Sequence, residues 1–255
     1  MSVGAHPVSL LERQGSDPPV LLLHGWGASA ATFAVLLSRA RTGRRLVAID
    51  LPGFGETQAG SANWSRELYA DLVSRLIAEQ GWGTVSLLGH SYGGGVAIRL
   101  AAAAATPVDR LLLCAPSGVR LPGSRAAGAR VQTFRLLRSG AERALPSRWS
   151  EPAVEWLRQR MGSADYRAAG PLLRPILVRA VAEDLSELAT TIRVPTLVLW
   201  GARDQELPLA TYGRRLAELV PPAELIELPS SGHFPFVDDP GRFAAVFDSF
   251  VDAKL

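Results

Sequence analysis

Two kinds of hydrophobic pattern alternate along most of the chain. Short, nearly continuous apolar runs are typical of parallel strands that helices cover on both faces. Six such runs lie at residues 20–23, 46–49, 85–88, 111–114, 196–200 and 224–228. Between them the apolar spacing is that of amphipathic helices, at residues 30–39, 65–80, 92–105, 209–219 and 240–251. A weaker strand pattern lies near residues 8–12. The alternation predicts an α/β fold, a doubly wound and mostly parallel sheet.

The alternation breaks once, in the second half of the chain. Residues 118–190 contain no convincing strand pattern, only helical patches at 126–137, 152–161 and 171–184 that glycine and proline separate. A helical insertion at the carboxyl end of a parallel sheet would lie over the ligand crevice. We therefore expect a core of residues 1–117 and 191–255 and a helical lid of residues 118–190.

Composition narrows the class of protein. The chain has 255 residues, of which 47% are hydrophobic, so it can form a sizeable core and is not a disordered tail. The single cysteine, Cys114, excludes an internal disulfide, and no Cys/His cluster has zinc spacing, so we expect no metal. The uncharged stretch 18–38 begins with two prolines and is interrupted at residues 24–27, which argues against a spanning helix. Since no signal-peptide pattern opens the chain, we expect a cytoplasmic protein.

Charge is distributed unevenly. The whole chain carries +3, whereas residues 118–180 hold twelve arginines and four acidic residues, a net charge of +8. Such asymmetry indicates either a surface for an anionic partner, such as an acidic carrier protein or an anionic lipid, or a compositional bias in which arginines solvate helix faces. Nothing in the sequence suggests a nucleic-acid partner.

A candidate nucleophile lies where a strand passes into a helix. Residues 89–93 read Gly-His-Ser-Tyr-Gly and match the G-x-S-x-G pattern, directly after the run at 85–88. Glycines around Ser91 leave room for the strained turn that exposes such a serine. The backbone N–H of Tyr92, at the start of the helix, would point to where an oxyanion forms.

A serine hydroxyl needs a base, and the chain offers four histidines. His6 lies near the terminus, His24 is expected to be a structural hydrogen-bonding residue, and His90 is expected to project away from its neighbour Ser91. His233 follows the last predicted strand and so lies at the same carboxyl edge of the sheet as the serine. We therefore predict His233 as the general base.

The base in turn needs a carboxylate to fix its tautomer. Asp204 follows the predicted strand at 196–200, again at the carboxyl edge, and the order Ser91, Asp204, His233 suits this architecture. Glu206 and Asp184 are competing candidates that lie farther from a strand end.

A second oxyanion donor and a pocket are predicted from loops and aromatic residues. The backbone N–H of Trp26, in the glycine-containing loop 24–27, is the best candidate donor, with its indole as a pocket wall. Residues 50–55 resemble a phosphate loop only superficially, since they lack the required spacing and a lysine, and are expected to form a structural turn. The residues expected to bind an apolar substrate group are Trp26, Phe33, Phe134, Trp149, Trp156 and Phe234.

These motifs together resemble the α/β-hydrolase superfamily over nearly the whole chain: HGWG at 24–27, DLPGFG at 50–55, GHSYGG at 89–94, GARD at 201–204 and SGHFPFVDDP at 231–240. Within it, the loops and the small helical lid resemble carboxylesterases that cleave methyl esters of acids bound to acyl carrier protein. Carbon–carbon bond hydrolases, small lipases and perhydrolases are similar too. Serine at position 91 argues against dehalogenases and epoxide hydrolases, which have aspartate there.

The resemblance implies a serine hydrolase that cleaves carboxylic esters through an acyl-enzyme intermediate, with Ser91, His233 and Asp204 as its triad and no cofactor. Three alternatives remain open: a carbon–carbon bond hydrolase, an acyltransferase or perhydrolase that excludes water, and a non-catalytic ligand receptor on the same fold.

Overall fold

A mostly parallel sheet organises the chain. The computed structural model describes residues 1–4, 6–61, 63–120, 126–161 and 163–253. In this part of the chain seven strands form one sheet: β1 (Leu10–Arg13), β2 (Ser16–Leu23), β3 (Arg44–Ile49), β4 (Val85–His90), β5 (Val108–Cys114), β6 (Thr196–Gly201) and β7 (Ala223–Leu228). Their order is β1-β3-β2-β4-β5-β6-β7. Only the pairing of β1 with β3 is antiparallel; the other pairs in this sheet are parallel. A separate small ladder pairs Ser2–Val3 with His6–Pro7. The predicted sheet is confirmed.

Helices connect the strands. In chain order they are α1 (Ala34–Arg39, preceded by a 3₁₀ turn at Ala30–Phe33), α2 (Arg66–Glu79), α3 (Ser91–Ala101), α4 (Ala126–Ala144), α5 (Ser147–Met161), α6 (Ala164–Ala168), α7 (Arg174–Ala182), α8 (Ser186–Ala189), α9 (Gly213–Leu219), α10 (Pro235–Asp238) and α11 (Pro240–Val251). Helix α3 ends at Ala101, four residues before the predicted 105, and the chain then turns into β5 at Val108. No helix in the described part of the chain is long and apolar enough to cross a membrane.

The core lies on both faces of the sheet. Every residue of β4 and β6 is buried, which explains why their sequences read as nearly continuous apolar runs. On one face, α1 and α11 pack around a cluster that includes Phe33, Phe236 and Phe247, none of which has exposed surface. The strands are thus held on a close-packed support, and their carboxyl ends carry the loops that hold the candidate catalytic residues.

The chain divides into two compact units. One comprises Met1–Leu121 with Asp184–Leu255, and the other comprises Pro122–Glu183. The second unit is shorter than the lid expected at 118–190, since Leu185 is fully buried in the first unit and its N–H donates to the carbonyl of Gly118 at 2.8 Å. Within the second unit α4 packs against α5, and the Ser163 hydroxyl caps α6 by accepting from the N–H of Tyr166.

Candidate active site

Ser91 occupies a sharp turn between β4 and α3. It follows the last strand residue directly, is the first residue of the helix, and has a φ of +48°, in the left-handed region that serine rarely adopts. The turn is tightly packed: a side chain on Gly89 would place its Cβ 2.7 Å from the Cβ of Ala97. Glycine is therefore required around the serine, and the strained turn holds Ser91 at the carboxyl end of the central strand.

His233 and Asp204 form a short, buried pair. The Nδ1 atom of His233 lies 2.7 Å from Oδ2 of Asp204, and both residues are buried. The other carboxylate oxygen accepts hydrogen bonds from the N–H groups of Glu206 and Leu207, each at 2.9 Å. Burial alone would raise the pKa of Asp204, but the hydrogen bond and charge interaction with His233 and the hydrogen bonds from Leu207 and Glu206 together outweigh it, so the pKa lies below its ordinary value. Asp204 is therefore an ionised acceptor that fixes the His233 ring.

Backbone contacts join the loops that carry this pair. The N–H of Arg203, after β6, donates to the carbonyl of Ser231, after β7, at 2.9 Å. A Cβ on Gly201 would overlap the backbone of Ser231, so the two loops cross where only glycine fits. This crossing places the carboxylate and the imidazole next to each other.

Neither competing carboxylate contacts Nδ1 of His233. Glu206 places Oε2 3.6 Å from Nε2 of His233, on the side of the ring opposite Asp204, and its side chain is 67% exposed. Asp184 accepts hydrogen bonds from the N–H and hydroxyl of Ser186, at the start of α8. Asp204 is the carboxylate that contacts Nδ1 of the histidine.

The loop 24–27 lies against the serine turn. The N–H of Gly93 donates to the carbonyl of His24 at 3.1 Å, and a Cβ on Gly25 would lie 3.2 Å from the Cβ of Ser91. The ring of Trp26 meets the rings of Tyr92 and Phe54 edge-on, with centroids 5.3 and 5.0 Å apart. The two segments that carry the predicted oxyanion donors therefore adjoin the nucleophile.

Hydrogen bonds of His24 and Asp50 tie the loop 24–27 and the residues after it to segment 50–56. The Nε2 atom of His24 accepts from the N–H of Leu51 at 3.1 Å, and burial lowers the pKa of the imidazole. The carboxylate of Asp50 accepts from the N–H groups of Ala30 at 2.6 Å and Glu56 at 2.9 Å. Segment 50–55 is thus a structural turn.

The structure places His90 beside His233, a contact that the sequence did not indicate. Its Nε2 lies 2.8 Å from the carbonyl oxygen of His233, and the two ring centroids are 5.0 Å apart. Burial, reinforced by the nearby His233, lowers the pKa of His90 to about 3, so the imidazole is neutral and donates from Nε2. Its position as the last residue of β4 is the signal that could have placed it at the sheet edge.

The predicted pocket residues have different surroundings. Phe33 has no exposed surface and packs against Phe236 in the core, so its assignment to the substrate surface is corrected. Phe234 is half-buried, with its ring 5.3 Å from that of His233. In the second unit Phe134 contacts Tyr166, at 5.8 Å between centroids, whereas Trp149 and Trp156 are 60% and 62% exposed.

The cysteine and the potential metal ligands have the following surroundings. Among the described residues no group of three or more His, Cys, Asp or Glu side chains is placed to hold a metal ion. Cys114 is fully buried, and burial raises the pKa of its thiol well above the ordinary value, so a reactive thiolate is disfavoured there.

Comparison with known proteins defines the class. The sequence profile of the alpha/beta hydrolase family matches residues 20–246, and the chain belongs to this family. The pimeloyl-[acyl-carrier protein] methyl ester esterase of Chromobacterium violaceum is 32% identical over 255 residues, covering 96% of this chain and 98% of that protein. The same enzyme of Aeromonas hydrophila is 29% identical over 254 residues, covering 94% and 98%.

Solved structures show the same fold. An esterase from Exiguobacterium antarcticum aligns with a TM-score of 0.72 at 22% identity, covering 99% of this chain and 98% of that one. A meta-cleavage product hydrolase from Pseudomonas fluorescens aligns with a TM-score of 0.69 at 23% identity, covering 95% and 93%.

Proposed function

We propose that the protein is a serine esterase, a hydrolase of carboxylic esters with Ser91 as nucleophile. The observation that carries the proposal is the buried pair of His233 and Asp204, 2.7 Å apart, on loops at the same sheet edge as the strained serine turn. An imidazole held at Nδ1 by an ionised carboxylate leaves Nε2 to accept the serine proton. This arrangement suits acyl transfer to a serine hydroxyl.

The reaction proceeds in two halves. The Ser91 oxygen attacks the ester carbonyl while its proton passes to Nε2 of His233, and the backbone N–H groups of Trp26 and Tyr92 stabilise the oxyanion. Collapse of the tetrahedral intermediate breaks the ester C–O bond, and the proton moves from His233 to the leaving alcohol. Water then attacks the acyl group on Ser91, giving its proton to His233, and the acid departs as the serine is reprotonated.

The acyl part of the substrate is proposed to be apolar. Trp26 and Phe234 adjoin the catalytic residues, and the exposed Trp149 and Trp156, with Phe134, offer apolar surface in the helical unit. The Chromobacterium and Aeromonas relatives are named for a methyl ester on acyl carrier protein, and we propose an ester of this class. The helical insertion, expected at residues 118–190, is proposed as a lid that sets substrate preference. The expectation of a cytoplasmic location stays a prediction.

The arginine-rich helical segment is proposed to receive an anionic partner, either an acidic carrier protein or an anionic lipid. Residues 118–180 carry +8, and exposed charges steer encounter over roughly 8 Å at physiological salt. We expect kcat/KM for a carrier-bound methyl ester to fall with ionic strength, while that for a neutral p-nitrophenyl ester stays constant. Replacing the exposed Arg143 and Arg148 with glutamate should cause the same selective loss. Equal salt responses for carrier-bound, anionic-lipid and neutral esters would show that the charge is compositional.

Fluorophosphonate labelling combined with an ester panel tests the function. We expect one label per chain on Ser91, no label on Ser91→Ala, and turnover of p-nitrophenyl esters from two to sixteen carbons with a preferred length. Labelling without hydrolysis, but with transfer to added alcohol or peroxide, would identify an acyltransferase or perhydrolase. Hydrolysis of carbon–carbon bonds in preference to esters would favour that alternative. Ligand binding with neither labelling nor turnover would indicate a receptor.

A further inference from the structure

His90 joins three segments of the site. It precedes Ser91 in the chain, its Nε2 lies 2.8 Å from the His233 carbonyl oxygen, and its Nδ1 faces Gly25. We propose that His90 is a positioning residue that fixes the backbone of the general base and the oxyanion loop relative to the nucleophile. The kinetic consequence rests on the proposed function, whereas the structural role of the imidazole does not.

The contact at Nε2 sets the position of the base. The carbonyl that accepts the hydrogen bond belongs to His233 itself, so the bond holds the backbone from which the catalytic imidazole extends. Asp204 fixes the same ring at Nδ1. Two contacts, one to the backbone and one to the ring, therefore determine where Nε2 of His233 lies, and the first originates beside Ser91.

The contact at Nδ1 involves the oxyanion loop. A Cβ on Gly25 would lie only 2.9 Å from this nitrogen, so the loop backbone packs directly on the imidazole. The atom is buried, and it has no hydrogen-bond partner within the described residues. An unsatisfied buried nitrogen is costly, and packing alone would be served as well by an apolar side chain. The donor at the other end of the ring is the reason for a histidine here.

Surrounding groups keep this imidazole neutral. Phe234 and Phe236 enclose the ring, with centroids 4.8 and 5.0 Å away, and the charged or titratable neighbours are His233, Asp204 and His24. A positive charge on His90 would lie about 5 Å from the imidazolium that forms on His233 during catalysis and would oppose it. Burial removes that conflict while leaving the Nε2 donor in place.

Paired substitutions separate the hydrogen bond from packing. Glutamine at position 90 can place an amide N–H where Nε2 lies, whereas methionine has similar length and no donor. We expect His90→Met to lower kcat for p-nitrophenyl acetate and the rate of fluorophosphonate labelling by about 10- to 100-fold, since a small misplacement of a catalytic group has this effect. KM should change less than about threefold, because substrate contacts are retained. His90→Gln should recover most of the rate.

Ser86→Ala is the matched control. Ser86 lies on the same strand as His90, is buried, and donates to Asp109 at 2.8 Å, but at the far end of β4. The Ser86→Ala variant should have a lower thermal unfolding midpoint than the wild type but an unchanged kcat. Equal rates for His90→Met and His90→Gln, or losses in KM alone, would overturn the proposal.

Imidazole ¹⁵N NMR tests the positioning role of His90 independently of catalytic activity. We expect His90 to remain a neutral Nε2–H tautomer at pH 5, and the His233 resonances to move in His90→Met and not in His90→Gln. If the wild type neither labels nor hydrolyses esters while these spectra hold, the proposed function fails and the positioning role stands. An Nδ1–H tautomer of His90, or His233 resonances that do not change in His90→Met, would contradict the positioning role.

Discussion

Acid should destabilise this protein through its buried histidine at position 90. The pKa of His90 is lowered to about 3 by burial, against about 6.5 in an unfolded chain. The unfolded state therefore binds the proton more readily, so the stability that neutral His90 permits is fully present above pH 6.5. It is lost as the pH falls from there toward 3.

The size of the effect follows from these two values. Linkage gives a loss of about 2 kcal/mol in the free energy of unfolding between pH 7 and pH 5, approaching about 1.4 kcal/mol per pH unit in the acid part of that range. Burial also lowers the pKa of His24, which adds acid sensitivity of the same sign. Most of that contribution is common to the wild type and a His90 variant, so it largely cancels in their difference.

Urea unfolding of the wild type and His90→Gln at pH 7, 6 and 5 measures the difference. Tryptophan fluorescence and far-UV circular dichroism should be followed together, so that agreement of the two probes checks two-state behaviour. Glutamine cannot take up the proton, so between pH 7 and pH 5 the free energy of unfolding should fall by about 2 kcal/mol less in the variant than in the wild type. His6→Gln, at a partly exposed histidine, controls for the change in composition. Parallel stability curves for wild type and His90→Gln would refute the reasoning.

Three further predictions concern catalysis. With p-nitrophenyl acetate as substrate, Asp204→Asn should lower kcat by about 10⁴-fold, because it favours the wrong tautomer of His233. The kcat of Glu206→Gln should stay within a few-fold of the wild-type value. A larger loss in Glu206→Gln than in Asp204→Asn would mean that Glu206 orients the histidine. Gly25→Ala should lower kcat about 10-fold or more by displacing the His90 ring, and Gly43→Ala, where a Cβ meets open space, should not. Trp156→Ala should shift the preferred acyl length while acetate esters remain good substrates; equal loss at all lengths with intact folding would remove Trp156 from the acyl-binding surface.

The sheet could be predicted because its strands are buried on both faces. A strand such as β4, with every residue buried, is mostly apolar apart from Ser86 and His90, and that pattern is visible in the sequence. The unit boundaries were harder, because residues such as Leu185 belong to the core through a contact with Gly118, far away in the chain. Helical periodicity alone does not show to which unit a short helix belongs.

The candidate site was predictable in its chain positions and less so in its side-chain surroundings. Ser91, Asp204 and His233 each follow a strand, so topology alone brings them to one edge. Phe33 was assigned to the pocket because an aromatic residue after an active-site loop suits either pocket or core, and only the packing against Phe236 distinguishes them. His90 was missed because its partner is a backbone carbonyl 143 residues later, which no local pattern reveals.

The most direct test of a serine esterase is the covalent adduct itself. The protein should be treated with a fluorophosphonate, its intact mass measured, and the modified peptide sequenced. We expect one adduct per chain, located on Ser91, forming at least about 10³-fold more slowly in His233→Ala because the triad acts as a unit. An adduct on another residue, or equal labelling rates in the wild type and His233→Ala, would contradict the account.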